Sequence, residues 1–446
     1  MTEVKGVVIV ARNGDRFDMY QDPKDYSSAL AQTTALGEAQ SHQLGALLRS
    51  IYLSPESSSF IKDVEPSIVD HKQLHVRVKA GGEGSVVFDS AIALLQGLYP
   101  PHPKNKIELA NGTTVTAPLG GYQYVPVETV EPGNDRSLEP WTSCPNFEKH
   151  IANFHSSDSF KKKEQAAAPF FNQARDFIFG RDAKLQNILH DFMSSQLMHN
   201  KTYAYRLPPG LINSARELAD FHEDGVFSDD NAGGIGNIAG RTLLYTILSS
   251  LERFSAPKDP LKFVLVETSY HPFISLFHQF EIVKENPQFK GMPDFGSAFA
   301  IELRAGPPPD SRDFLRFKIK NGTGAFETVH VLGHKQDIPV TEFVYRIENA
   351  AIRSNKEWAQ VCGSKTARLN AASFGSDVGE ALEQAKVWPY SQAVLLLFGA
   401  VLLALVLGVS QRVKARSKAR KLRLHGEDTL LVSGVQCKSA EKVRYV

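Results

Sequence analysis

The chain has 446 residues, 42% hydrophobic and 22% charged, which supports a large buried core and excludes collagen-like, coiled-coil and wholly disordered architectures. Its formal charge of +1 hides a split: residues 411–446 hold ten Lys/Arg and three Asp/Glu, a net +7, leaving −6 on the 410 residues before them. A mildly acidic body excludes a nucleic-acid binder, whose positive charge sits on the folded domain.

Residues 4–11 are valine-rich and barely alternate, as does a strand buried on both faces of a parallel sheet. A polar stretch follows, then TALGEAQSHQLGALLRSIY, with Leu36, Gln40, Leu44, Leu47 and Ile51 at helical spacing. KQLHVRVKA reads as a second strand, and DSAIALLQGLYPP as a helix stopped by two prolines. This order predicts an α/β fold with a mostly parallel central sheet and its sites at the strand C-termini.

From residue 109 to 250, loops alternate with helical stretches such as SFKKKEQAAAPFFNQARDFIFG and LINSARELADFHED, which predicts a helical cap inserted into a core of residues 1–108 and 251–385. Strands return in PLKFVLVETSY, GSAFAIELRAG and DFLRFKIKNGTG, and VTEFVYRIENAAIRSNKEWAQVC reads as one amphipathic helix. A linker, 386–392, leads to 393–410, where AVLLLFGAVLLALVLGV carries no charge and lies between Trp388 and Tyr390 on one side and a basic run on the other. That pattern predicts a transmembrane helix with a cytoplasmic tail, 411–446, and a body on the extracellular or lumenal side.

Asn111-Gly-Thr, Asn200-Lys-Thr and Asn321-Gly-Thr have the form of glycosylation acceptors, and Cys144 and Cys362 are either a pair or two buried thiols. The N-terminus enters its first strand without a signal-peptide stretch. Export then falls to a segment upstream of Met1 or to the membrane helix, with a cytosolic body as the remaining reading.

Arg12 and Arg16 flank Gly14 at the end of the first strand. Two planar guanidinium forks beside a residue that lets the backbone come close make an anion site, against the plain reading of a charged surface turn. The Gly-rich GGIGNIAG follows no strand and reads as a turn. His330 and His334 are spaced i, i+4, but with Gly333 between them in a strand-like setting they make no zinc site; no metal or cofactor is expected.

The stretch VVIVARNGDR resembles the Arg-His-Gly-x-Arg-x-Pro turn of the histidine acid phosphatases, in the phosphoglycerate-mutase-like superfamily. LGEAQSHQLG, DSAIALLQGLYP and the pair FAIELR and LRFKIKNGTG are similar to that family's later motifs, in order, over residues 4–360. GGEGSVVFDSA, GYQYVPVE and GIGNIAGRT resemble fungal-type members. The resemblance implies a phosphohistidine mechanism, in which arginines hold the phosphoryl oxygens and a late His-Asp pair adds a phosphate contact and the leaving-group proton.

Carried over by position, Arg12 and Arg16 match the motif arginines, and Asn13 stands at the nucleophile. Asp18 replaces the motif proline, His271 matches the late histidine, and Pro272 replaces the acid. The third arginine is Arg77, with Lys79 as the other option. The expectation is a membrane-anchored protein with a pocket for a phosphorylated or other anionic small molecule and impaired turnover. An active phosphomonoesterase using another nucleophile, and a cell-surface interaction protein, stay open beside it.

Overall fold

The structure, a computed structural model, describes residues 3–364 apart from 83–84, 188 and 307–311. The valine run forms β1 (Val4–Arg12), buried along its length except at Lys5. Thr34 caps α1 (Ala35–Leu48), its hydroxyl accepting from the Gly37 N–H at 3.1 Å. Then come β2 (Leu74–Lys79), α2 (Val86–Leu98), the exposed hairpin β3 (Lys106–Glu108) and β4 (Thr114–Thr116), the short α3 (Pro118–Gly121) and β5 (Glu128–Val130). A helical run follows: α4 (Pro145–Ser156), α5 (Asp158–Ala166), α6 (Ala168–Ala174), α7 (Leu189–His199), α8 (Lys201–Arg206), α9 (Leu211–Val226) and α10 (Ile238–Ser255). The rest is β6 (Phe263–Thr268), α11 (His271–Gln279), α12 (Ile282–Glu285), β7 (Ala298–Ala305), β8 (Asp313–Lys320), β9 (Glu327–Val329), β10 (Ile338–Pro339), α13 (Val340–Ile347) and α14 (Asn355–Cys362).

The main sheet has the order β10-β8-β7-β1-β6-β2-β5, with β9 beside β8. β1, β6, β2 and β5 pair in parallel, and β7 joins β1 antiparallel. Because β1 alternates faces, Val7, Ile9 and Ala11 pack under α1 and α2, while Val8 and Val10 pack under α10 and α11. Both faces are covered, which is why the strand reads as a continuous apolar run. The helices α5, α6, α7 and α9 close a smaller core of their own around Phe160, Phe171, Phe192 and Met193.

The stretch 109–250 contains this helical layer, but β5 within it pairs with β2, and α10 covers the main sheet. The single helix expected over 340–362 is broken: α13 runs into a 3₁₀ turn, and α14 starts afresh at the Ser354 cap. The break follows from Arg241, which donates to the Ala350 carbonyl, while the Ile352 N–H donates to the Arg241 carbonyl. Helical pairing of those groups is lost to a contact that no local pattern reveals.

Cys144 and Cys362 form a disulfide across 218 residues, joining the start of α4 to the end of α14. Among the described residues no helix is long and apolar enough to cross a membrane; the expected span at 393–410 lies outside them, as do the tail and Cys437.

Candidate functional site

Asn13 follows β1 and still pairs with the sheet, its N–H donating to the Thr268 carbonyl at 3.2 Å. The chain then turns along the N-terminus of α1 in backbone-to-backbone contact: a Cβ at Gly14 meets the Gly37 carbonyl oxygen at 2.1 Å, and one at Gly37 meets the Asp15 carbonyl oxygen at 2.0 Å. Neither position has room for a larger residue. Ser90 accepts from the Gly14 N–H at 3.1 Å and Gln40 from the Asp15 N–H at 2.8 Å. The residues shared with the later motifs therefore hold the turn in place.

Arg12 is buried at the strand end, with its guanidinium 4.2 Å from the Phe295 ring centroid and 5.3 Å from that of Tyr270. It donates to the Pro293 carbonyl, and its Nε has no hydrogen-bond partner among the described residues. Burial, with Arg16 and Arg216 nearby, pushes the Arg12 pKa down to about 9. Asn321 fixes the loop carrying Pro293 and Phe295: its side-chain oxygen accepts from the Asp294 N–H at 2.8 Å and the Ser297 hydroxyl at 3.0 Å.

Asn13 is 3% exposed and donates its side-chain N–H to the Gly14 carbonyl at 2.8 Å. Its amide nitrogen, with the lone pair delocalised into the carbonyl, is no nucleophile. His271 opens α11, stacked on Tyr270 at 3.9 Å and against Trp141 at 4.5 Å. Its Nδ1 lies 2.8 Å from the Ser269 hydroxyl and its Nε2 3.1 Å from Gln21 Oε1. Burial first, then the charges of Lys79, Arg12 and Arg16, hold its pKa well below the usual histidine range, so the ring is neutral. Pro272 follows as the second residue of the helix and supplies no proton.

Arg16 is also buried, but α7 meets it. Its guanidinium donates to both oxygens of Asp191, at 2.9 and 3.0 Å, and the Met19 N–H reaches the same carboxylate at 2.7 Å. Ser195 accepts from the Asp18 N–H at 3.1 Å, and His199 pairs with Asp15 at 2.7 Å. Asp191, Ser195 and His199 lie four residues apart on one face of α7, a polar stripe that straps the helix across the turn. Burial alone pushes the Asp191 carboxyl up, but Arg16 and the Met19 N–H outweigh it and hold it below the usual carboxylate range.

Arg77 does not join these groups. It pairs with Glu128 at 3.1 Å and Asp135 at 2.6 Å, donates to Thr246 at 2.9 Å, and lines a separate cavity of about 490 Å³. Lys79, two residues on and on the same face, ends the strand beside Trp141, 5.8 Å from its ring centroid. It is buried and paired with Glu139 at 3.0 Å. A cleft of about 270 Å³ opens next to Asp191, lined by Asp18, Tyr20, Gln21, Arg181, Phe192 and Tyr270 among others. No metal-binding cluster occurs among the described residues.

Sequence reading missed Asp191, Glu139 and Gln21. The stripe on α7 was the one available signal, in a helix whose other residues Leu189, Phe192 and Met193 are buried.

Glu267, near the end of β6, is fully buried, and among the described residues neither of its oxygens has a hydrogen-bond partner. Burial pushes its pKa from 4.5 up to about 8. A carboxyl raised on folding contributes its full stability below pH 4.5 and loses it as pH rises to about 8, at about 1.4 kcal/mol per pH unit. Glu267→Met is therefore expected to raise the melting temperature at pH 8 by more than at pH 4.5. Equal gains at both values in a calorimetric series count against a neutral buried carboxyl.

No family model matches the chain, and no curated protein does. Solved structures do. The phytase of Citrobacter braakii superposes with a TM-score of 0.54 at 11% identity, covering 80% of this chain and 99% of that one. The phytase of Klebsiella sp. ASR1 gives 0.53 at 10%, covering 79% and 96%, and that of D. castellii 0.50 at 12%, covering 81% and 82%. At such identities the likeness speaks for the fold alone. The described part of the chain has the fold of these phytases.

Proposed function

We propose that this is a membrane-anchored, histidine-phosphatase-like protein that keeps an anion-binding frame and has lost the family's covalent chemistry. The observation that carries the reading is Asn13, set between two buried arginines with its amide spent on the Gly14 carbonyl. Pro272 beside His271 removes the leaving-group acid as well. Without a nucleophile, rates fall by about a factor of a million where catalytic groups act together.

The ligand on this reading is a phosphorylated or other anionic small molecule. Arg12 supports it, as a buried guanidinium whose Nε has no hydrogen-bond partner among the described residues. The anchor is the apolar segment 393–410 with its basic tail. A lumenal or extracellular body is supported by the disulfide, since such bonds persist in oxidising compartments. Asn111 also fits, exposed at the tip of the β3–β4 hairpin, where among the described residues its side-chain oxygen accepts only from the nearby Thr113 N–H, at 3.0 Å.

The test is hydrolysis of p-nitrophenyl phosphate from pH 4 to 7. Wild-type protein and Arg12→Ala are expected to be equally silent. Turnover by the wild type that Arg12→Ala abolishes establishes the active phosphomonoesterase instead.

A further inference from the structure

Most of the basic groups around Arg12 and His271 are already engaged by the protein itself. Arg16 holds Asp191 with two hydrogen bonds, Lys79 holds Glu139, and both ring nitrogens of His271 have side-chain neighbours in Ser269 and Gln21. Arg216, on α9, pairs with Asp220 and Asp294. Arg12 differs: among the described residues its buried Nε has no hydrogen-bond partner, and Asp191 acts on it only through space.

Resting on the anion-pocket reading above, we infer that Asp191 decides which ligands the site accepts: its carboxylate occupies the oxyanion seat on Arg16 and closes that arm to phosphate. Three features carry this. The carboxylate takes two guanidinium N–H groups and one backbone N–H, donors that fit a phosphoryl group equally well. Arg16 is buried and its guanidinium is held by both Asp191 oxygens, so an anion reaches it only by displacing that carboxylate. The stripe continues through Ser195 and His199 to the turn itself, so α7 is fastened at three places.

Arg12 lies within electrostatic reach of Asp191, while the other nearby cations, Arg181 and Arg216, are paired with Asp18 and Asp220. His190 beside it has its pKa pushed down to about 4, first by burial and then by Arg216, and so brings no positive charge to admit a second anion. At the cleft rim Asp18 pairs with Arg181 at 2.7 Å. A phosphate anion entering here meets a fixed carboxylate within hydrogen-bond reach of the guanidinium it needs, and the two negative charges repel.

Titration calorimetry with inorganic phosphate at pH 6, on full-length protein in detergent micelles, tests this. Asp191→Asn keeps the shape and removes the charge, and is expected to bind phosphate at least tenfold more tightly than wild type. Adding Arg16→Gln is expected to cancel that gain. Asp191→Ser provides a second route should the amide variant not melt cooperatively. Equal affinity in wild type and both Asp191 variants overturns the inference while leaving the anion pocket standing. Absence of phosphate binding in every variant overturns the pocket itself, and this inference with it.

Discussion

Asn13→His combined with Asp191→Asn is expected to give the protein a phosphatase activity that wild type lacks, at least a hundredfold above its background with p-nitrophenyl phosphate. The histidine restores a nucleophile at the end of β1, between guanidinium groups already fixed by packing on Phe295 and Tyr270. The amide at 191 frees Arg16 to hold the transferring phosphoryl oxygens. Nitrophenolate leaves without a proton, so Pro272 costs little with this substrate. With glycerol phosphate, whose alkoxide needs protonation, the same variant is expected to be slower by roughly a further hundredfold. Asn13→His alone is expected to lag the double variant at least tenfold. If the two are equally active, Asp191 does not block the site; if neither traps a phosphohistidine, the turn is not a phosphoryl-transfer site.

The second large effect concerns stability. Cys144→Ser is expected to lower the unfolding free energy by about 3–5 kcal/mol, because the bridge closes a loop of 218 residues and such a closure removes much chain entropy from the unfolded state. The native contacts around it remain: Trp358 donates to the Pro140 carbonyl at 2.7 Å and Asn146 to the Val361 carbonyl at 2.7 Å. Tyr26, Trp141, Phe147 and Trp358 form the core beside the bridge, and this cluster also backs His271. The variant therefore folds, with a lower urea midpoint and a steeper slope, because the uncrosslinked chain exposes more surface on unfolding. A loss below about 1 kcal/mol would show that those contacts, and not the covalent link, secure α14.

Much of this was legible along the chain because it is local. A valine run buried on both faces, helices at regular spacing and the Arg-x-Gly-x-Arg turn each declare themselves within a dozen residues. The resemblance added the order of the motifs, and the contacts explain their residue types: Gln40 and Ser90 hold the turn, and Gly14 and Gly37 let it touch α1. What failed was pairing across distance. Asp191 reaches Arg16 over 175 residues and Glu302 takes the Tyr52 hydroxyl over 250, and no spacing rule links such positions.

Arg77 and Lys79 show the limit most clearly. Period two puts both on the same strand face, so alternation cannot choose between them. They differ by about 6.6 Å along the strand, and only the strand's end, set by how the sheet and its loops pack, puts Lys79 near His271 and leaves Arg77 to Glu128 and Asp135. The sequence by itself determined the α/β layering, the turn with its two arginines and the replacement of its nucleophile by an amide, since these depend on residue type and local period. Tertiary structure alone decided which cations stay open to a ligand, because that depends on which distant carboxylate is brought within hydrogen-bond reach of each.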